Sequence, residues 1–200
     1  MDLHPAGEFA TWDRHFVTDW GAAQCVVIAM RSRPHMLAEF TRRWRRVNDR
    51  SFDVFEAVEN HRAPIDACYD SHLQLLQQST RPLAVFEEDA VFRSSFTLDL
   101  QPPEDADIIR LGGEHQQLPI AVAAGWVRPT MVVRSHAYLV ADPQLLAKHL
   151  CGRRPYRHVD HALARVPLRQ LALERWSVGQ GAGVSTIENR TYRQHRFWDL

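Results

Sequence analysis

RPLAVFEEDAVF, residues 81–92, carries an apolar run from Leu83 to Phe86 straight into Glu87, Glu88 and Asp89, then returns to Ala90, Val91 and Phe92. An apolar run of strand length without polar alternation reads as a strand covered on both faces, as in a sheet with helices on each side. Three carboxylates at its end have two readings. One is an exposed strand end or turn, the ordinary place for charge. The other is a metal site at the carboxyl end of a buried strand. If the strand continues, alternation sends Glu87 and Asp89 to one side and Glu88 to the other, whereas a turn beginning at Glu88 lets Glu88 and Asp89 converge. Packed carboxylates repel one another and are driven toward protonation unless a cation neutralises them. Hard divalent ions such as Mn2+ or Mg2+ take oxygen ligands, commonly one or two carboxylates with water and substrate phosphates.

Working outward, AAQCVVIAM (22–30) is a second continuous apolar run and predicts the first strand of a parallel sheet. PHMLAEFTRRWRRV (34–47) starts with Pro34 and puts Met36, Phe40, Trp44 and Val47 on one stripe, leaving Arg42, Arg43, Arg45 and Arg46 as a basic outer surface. FDVFEAV (52–58) reads as a strand and IDACYDSHLQLLQQS (65–79) as a helix. ADIIRLGG (106–113) and MVVRSHAYLVA (131–141) read as further strands, and PQLLAKHLC as a short helix capped by Asp142 and closed by Gly152. HVDHALARV (158–166) reads as a helical turn, LALER (171–175) as a strand and GQGAGVSTIEN as a glycine-rich loop. TYRQHRFWDL is a basic, aromatic end without periodicity. Alternating strands and helices with no linker predict one α/β domain over 1–200, with a central, mostly parallel sheet and ligands at the carboxyl ends of its strands.

Composition narrows the function classes. With 200 residues, 45% hydrophobic, the chain is long enough for one full core. It balances 24 basic against 24 acidic residues, so no overall field draws it to nucleic acid or anionic membrane. Three cysteines, with no C-x-x-C pair, argue against a disulfide framework or a structural zinc site of that kind. The amino terminus lacks a basic segment followed by an apolar run, and no window reaches membrane-span length, which predicts a cytoplasmic protein. Neither a G-x-G-x-x-G turn after the first strand nor a G-x-x-x-x-G-K-[ST] loop occurs.

Seven segments carry a resemblance by their order: VVIAMRSRP (26–34), ACYDSH (67–72), VFEEDAVF (85–92), DIIRLG (107–112), SHAYLV (135–140), HVDHAL (158–163) and VGQGAGVSTI (178–187). Over about 25–187 the chain resembles glycosyltransferase family 25, the lipopolysaccharide-type sugar transferases related to collagen galactosyltransferases, with a tail over 188–200 beyond it. The resemblance implies a GT-A fold and transfer from a nucleotide-sugar donor, a UDP-sugar in the first instance, to a glycan hydroxyl with Mn2+ or Mg2+. It assigns Glu88 and Asp89 to the metal, and Arg33, Ser71, His72, Glu87, Gln180 and Ser185 to the donor. His136 and Tyr138 fall to the substrate, and Asp160, or His161 beside it, to catalysis as the base. Glu88 stands where the family usually has aspartate, Ala29 where it tends to have asparagine, and Met36 where it has a second arginine.

Plainer readings of the same residues stay open. His72 serves equally as a buried structural histidine, Tyr138 as a core residue with a satisfied hydroxyl, Asp160 as a helix N-cap, and Gln180 and Ser185 as turn residues. Two rival functions also stand. RRWRR and TYRQHRFW suit a phage-type transferase acting on hydroxymethylated bases in DNA, since arginines hold phosphates and aromatics stack on an extruded base. The departures at Ala29, Met36 and Glu88 suit a non-catalytic nucleotide-sugar-binding relic. Peripheral membrane or DNA contact would fall on Arg42, Arg43, Arg45 and Arg46.

Overall fold

A computed structural model describes residues 18–60, 62–134, 136–152, 158–185 and 190–199, with backbone alone at Val184, Ser185 and Arg190. The two apolar runs become β1 (Gln24–Ala29) and β3 (Leu83–Glu87), each buried on both faces. Between them come α1 (Pro34–Val47), β2 (Asp53–Glu56) and α2 (Pro64–Gln78), with proline at the first turn of each helix. The short β4 (Ala90–Phe92) follows β3 across a two-residue turn at Glu88 and Asp89. Then come β5 (Ile108–Arg110), β6 (Glu114–His115), β7 (Ile120–Ala123), β8 (Trp126–Arg128), β9 (Val132–Val133) and β10 (Ala137–Val140). The remaining elements are α3 (Pro143–Cys151), α4 (Val159–Leu163), β11 (Gln170–Leu173), β12 (Val178–Gln180), β13 (Gly183–Ser185) and β14 (Arg190–Tyr192).

The central sheet has eight strands in the order β2-β1-β3-β10-β5-β11-β8-β7. Strands β2, β1, β3, β5, β11 and β7 share one direction, while β10 and β8 run against their neighbours. The chain is therefore a mixed α/β protein with a mostly parallel central sheet. Alternation along β1 and β3 divides the core. Cys25, Val27, Ala84 and Phe86 pack with Phe40 and Trp44 of α1, and Val26, Ile28, Leu83 and Val85 pack with Tyr69, Leu75 and Leu76 of α2 together with α3 and α4. On the α1 side Trp44 meets Phe86 edge-on at 5.2 Å, and its indole N–H donates to the Arg50 carbonyl. This satisfies the one polar atom of a fully buried tryptophan.

Several expectations are corrected. MVVRSHAYLVA is two strands, because Arg134 adopts a left-handed conformation (φ 60°), which costs about 1 kcal/mol for a residue with a side chain. Ser135, between the two, lies outside the described residues. β10 is antiparallel to both neighbours, one of the exceptions in the mostly parallel sheet. Gly152 ends α3 in right-handed geometry (φ −74°) and so makes no use of glycine's freedom, whereas Asp142 caps α3 as expected by accepting from the Leu145 N–H at 2.9 Å. The glycine-rich stretch holds β12 and β13, with Thr186 and Ile187 outside the described residues. The aromatic end packs onto the domain: Tyr192 is buried, the Gln180 and Arg196 backbones exchange hydrogen bonds, and the Trp176 indole donates to the Trp198 carbonyl. No helix among the described residues is long and apolar enough to cross a membrane.

Candidate active site

β1 leads through α1 to β2 on one side, and β2 leads through α2 to β3 on the other side of β1. The order of strands thus reverses between β1 and β3, and it is at the carboxyl ends of strands beside such a switch point that open α/β sheets take their ligands. Glu87 closes β3 on the same face as Leu83 and Val85, the face covered by α2. Its N–H donates to the His136 carbonyl at 3.0 Å, and the Glu88 N–H donates to the Ile28 carbonyl at 3.2 Å. The strand then turns, and Glu88 and Asp89 leave its alternation.

Glu88 points back to the start of α1. Its Oε2 accepts from the Met30 N–H at 3.0 Å, while Oε1 lies 3.5 Å from Arg33 Nε and has no hydrogen-bond partner. Asp89 points to β12, where its Oδ2 accepts from Gln180 Nε2 at 2.9 Å and its Oδ1 is buried without a partner. Burial pushes the Glu88 carboxyl up to about 7; Met30 and Arg33 oppose the shift, and the Asp89 and Glu87 charges add to it. Burial raises Asp89 as well, followed by the Glu87 charge, against His136, Gln180 and Arg33. His136 Nε2, Gln180 Oε1 and Arg43 Nη1 are likewise buried without hydrogen-bond partners. Gly181 makes this close packing possible. Its N–H donates to the Asp89 carbonyl at 2.6 Å, and a Cβ there would lie 2.7 Å from that oxygen and 3.2 Å from Arg43 Nη1.

Glu87 belongs to a second group. His72 Nε2 lies 3.3 Å from Glu87 Oε1, and His72 Nδ1 lies 3.0 Å from the Tyr138 hydroxyl. A neutral imidazole that donates to Glu87 accepts from Tyr138. Burial acts to raise Glu87, but the hydrogen bond from His72 and the electrostatic influence of His72 and His136 outweigh it and hold the carboxyl below its usual value. Tyr138 is wholly buried and lies level with Val85 and Arg110 across the sheet, with the Arg110 guanidinium 6.0 Å above its ring. Arg110 is itself fully buried, donates from Nε and Nη2 to Gln170 Oε1 at 3.1 Å each, and is lowered to about 10 by burial against the opposing charge of Asp160. Asp160 also acts on Cys68, whose thiol burial pushes well above its usual value. Tyr138→Phe is expected to cost about 1–3 kcal/mol in urea unfolding, because it leaves a buried imidazole nitrogen short of its partner. An unchanged midpoint would make the contact energetically idle.

The structure thus gathers Arg33, Glu87, Glu88, Asp89, His136 and Gln180 about the carboxyl ends of β1 and β3, with His72 and Asp160 on the α2 and α4 side. It places others elsewhere. Ser71 is buried with its hydroxyl occupied at both ends, donating to the Ala67 carbonyl at 2.8 Å and accepting from the Val58 N–H at 2.9 Å, so it ties α2 to the segment after β2. Tyr138 is a core residue with a satisfied hydroxyl, and no face of it is left for sugar. His158 caps α4, so Asp160 sits inside the first turn and is not an N-cap. His161 contacts Arg165 and His158. Ser185 ends β13, and its side chain lies outside the described residues. Arg43 is tucked in with 17% side-chain exposure and bonded to Glu39, which removes it from the basic outer surface. Arg110 and Cys68 lay in segments read from the sequence but were not among its candidate site residues; an arginine inside the apolar strand DIIRLG was the available signal for the first.

A cavity of about 570 Å³ lies away from these carboxylates, at the amino ends of β5 and β11. Its charged walls pair with one another or with neighbours, Arg128 with Glu104 at 2.6 Å and Arg169 with Asp107 at 3.1 Å, and among the described residues it has none of the buried polar atoms without hydrogen-bond partners found around Glu88 and Asp89. No family model and no curated protein matches the chain. Among solved structures it is similar to a nucleoside-diphosphate-sugar pyrophosphorylase from Vibrio cholerae RC9, at 12% identity over 77% of this chain and 74% of that one, with a TM-score of 0.39. A likeness this slight says nothing of activity.

Proposed function

We propose that this chain transfers a sugar from a nucleotide-diphosphate donor to an acceptor hydroxyl, as a metal-assisted enzyme of the glycosyltransferase family 25 kind with a GT-A-like fold. One observation carries the reading: Glu88 Oε1 and Asp89 Oδ1, on the two successive residues of the turn after β3, are buried without hydrogen-bond partners at the switch point of the sheet. Buried carboxylate oxygens that accept no hydrogen bond, the one on Glu88 lying 3.5 Å from Arg33 Nε, fit a hard divalent cation, so Glu88 and Asp89 would hold it. When bound, it supplies neutralisation of the charge that builds on the leaving diphosphate. Arg33, on the turn into α1, adds a fixed positive charge beside Glu88 Oε1. Gln180 orients Asp89 through its amide. Asp160, on α4, takes the acceptor hydroxyl's proton onto its carboxylate. His72 holds Glu87 rather than substrate.

The test is a thermal-shift screen of nucleotide sugars with and without Mn2+. The expected result is stabilisation by one donor class that depends on the ion. Stabilisation by no nucleotide sugar, or by one in a metal-independent way, overturns the reading. Arg42, Arg45 and Arg46 remain as an exposed basic face on α1. A polyanionic acceptor is expected to use it. Replacing Arg42 and Arg46 with glutamine should then raise acceptor KM roughly 3- to 10-fold at low salt, with the effect fading as screening grows. Equal KM values at low salt would place the acceptor elsewhere.

A further inference from the structure

We propose that Cys68, His72 and Glu87 form a second metal site, separate from Glu88 and Asp89, that takes a borderline divalent cation of the zinc class. One donor atom from each residue lies within 4.8 Å of the other two, the one such group of three among the described residues. Cys68 and His72 are four residues apart on α2, so both side chains leave one face of the helix toward the end of β3. The distance from His72 Nε2 to Glu87 Oε1 is 3.3 Å. In a tetrahedral zinc site, with Zn–N and Zn–O bonds of about 2.0–2.1 Å, the edge between those two ligands is about 3.3 Å. Two of the three donors are therefore already spaced as ligands, and only the thiol has to close in.

The surroundings of the histidine agree. His72 is wholly buried, and its other nitrogen meets the Tyr138 hydroxyl at 3.0 Å, the kind of outer contact that fixes the tautomer and plane of a metal-bound imidazole. Cys68 and Glu87 are only partly buried, which leaves a fourth position open to water or a ligand. A sulfur donor selects against Mg2+ and Mn2+, so this site and the all-oxygen pair beside it discriminate between ion classes. Binding balances as follows. The Cys68 thiol releases its proton to solvent, the imidazole proton moves from Nε2 to Nδ1, where the Tyr138 oxygen accepts it in a hydrogen bond, and the metal takes the place of the His72–Glu87 contact. Without metal that contact persists, so the fold does not depend on the ion.

Cobalt(II) and zinc(II) are the probes. The metal-free protein titrated with cobalt should bind one equivalent with a thiolate-to-metal charge-transfer band and the visible bands of a tetrahedral ion, both displaced by zinc. Cys68→Ser should lose the charge-transfer band and weaken zinc affinity at least about 100-fold. Its melting temperature without metal should match that of the wild type, which shows that the fold is intact. Cys151→Ser, at the exposed cysteine, and Asp89→Asn should leave the band in place. A folded wild-type protein without the band, a band that survives Cys68→Ser, or one that disappears in Cys151→Ser overturns the site. Manganese-dependent nucleotide binding is read separately, so the two proposals fail independently.

Discussion

Asp89→Asn is expected to abolish manganese-dependent binding of the nucleotide donor while leaving the protein folded. The substitution is isosteric, and its amide oxygen can still accept from Gln180 Nε2, now at 2.9 Å from Asp89 Oδ2. What it removes is the charge on a buried carboxylate whose other oxygen has no protein partner. A cation left with Glu88 alone loses half of its protein ligands. We expect manganese affinity to fall at least about 100-fold, about 2.7 kcal/mol, with donor transfer falling in parallel. Stability without metal should hold or rise slightly, since one of three mutually repelling carboxylates becomes neutral. Calorimetry with Mn2+ checks the first effect and urea unfolding the second. Wild-type manganese affinity in the variant would remove Asp89 from the metal site.

Glu88→Gln is expected to change stability and function in opposite directions. Burial raises the Glu88 carboxyl in the folded protein from 4.5 to about 7. The folded state therefore holds this proton more tightly than the unfolded chain does. The stability that follows from it is fully present below pH 4.5 and is lost as pH rises through about 7. At 1.36 kcal/mol per pH unit, the shift amounts to about 3 kcal/mol at pH 8. Glutamine stays neutral at every pH and can still accept from the Met30 N–H. The variant should consequently match the wild type near pH 4.5 and melt roughly 5–10 °C higher at pH 8 without metal. Its donor binding should be lost, and saturating Mn2+ should close the gap by stabilising the wild type alone. Melting curves at the two pH values, with and without Mn2+, decide the matter. Identical melting temperatures at pH 8 would mean that Glu88 is ionised at little cost and needs no cation.

Much of the frame could be read from local pattern. The runs at 22–30 and 81–92 became β1 and β3, and α1 occupies Pro34–Val47 as its apolar stripe and leading proline require. These features are legible because both faces of the strands and one stripe of the helix are buried whatever the connections. The three carboxylates stood out for the same reason, as charge at the end of a run that water does not reach. The turn at Glu88 was one of two readings and is present, but it sends Glu88 to Met30 and Arg33 and Asp89 to Gln180.

Strand direction was not legible. A period of two is the same whichever way a strand runs, so nothing in AYLV told that β10 enters antiparallel between β3 and β5. Strands of two to four residues, such as the exposed β7, carry no burial pattern that reveals pairing. The partners of the carboxylates lay furthest from reach. Asp89 meets Gln180 across 91 positions, and His72 meets Tyr138 across 66. Composition and spacing thus determined that an apolar strand ends on three carboxylates in an α/β domain, and left open whether that end is exposed or buried. Only tertiary packing decided that Glu87 goes to a histidine on α2, Glu88 to the turn after β1 and Asp89 to β12, because each destination is set by contacts between elements distant along the chain.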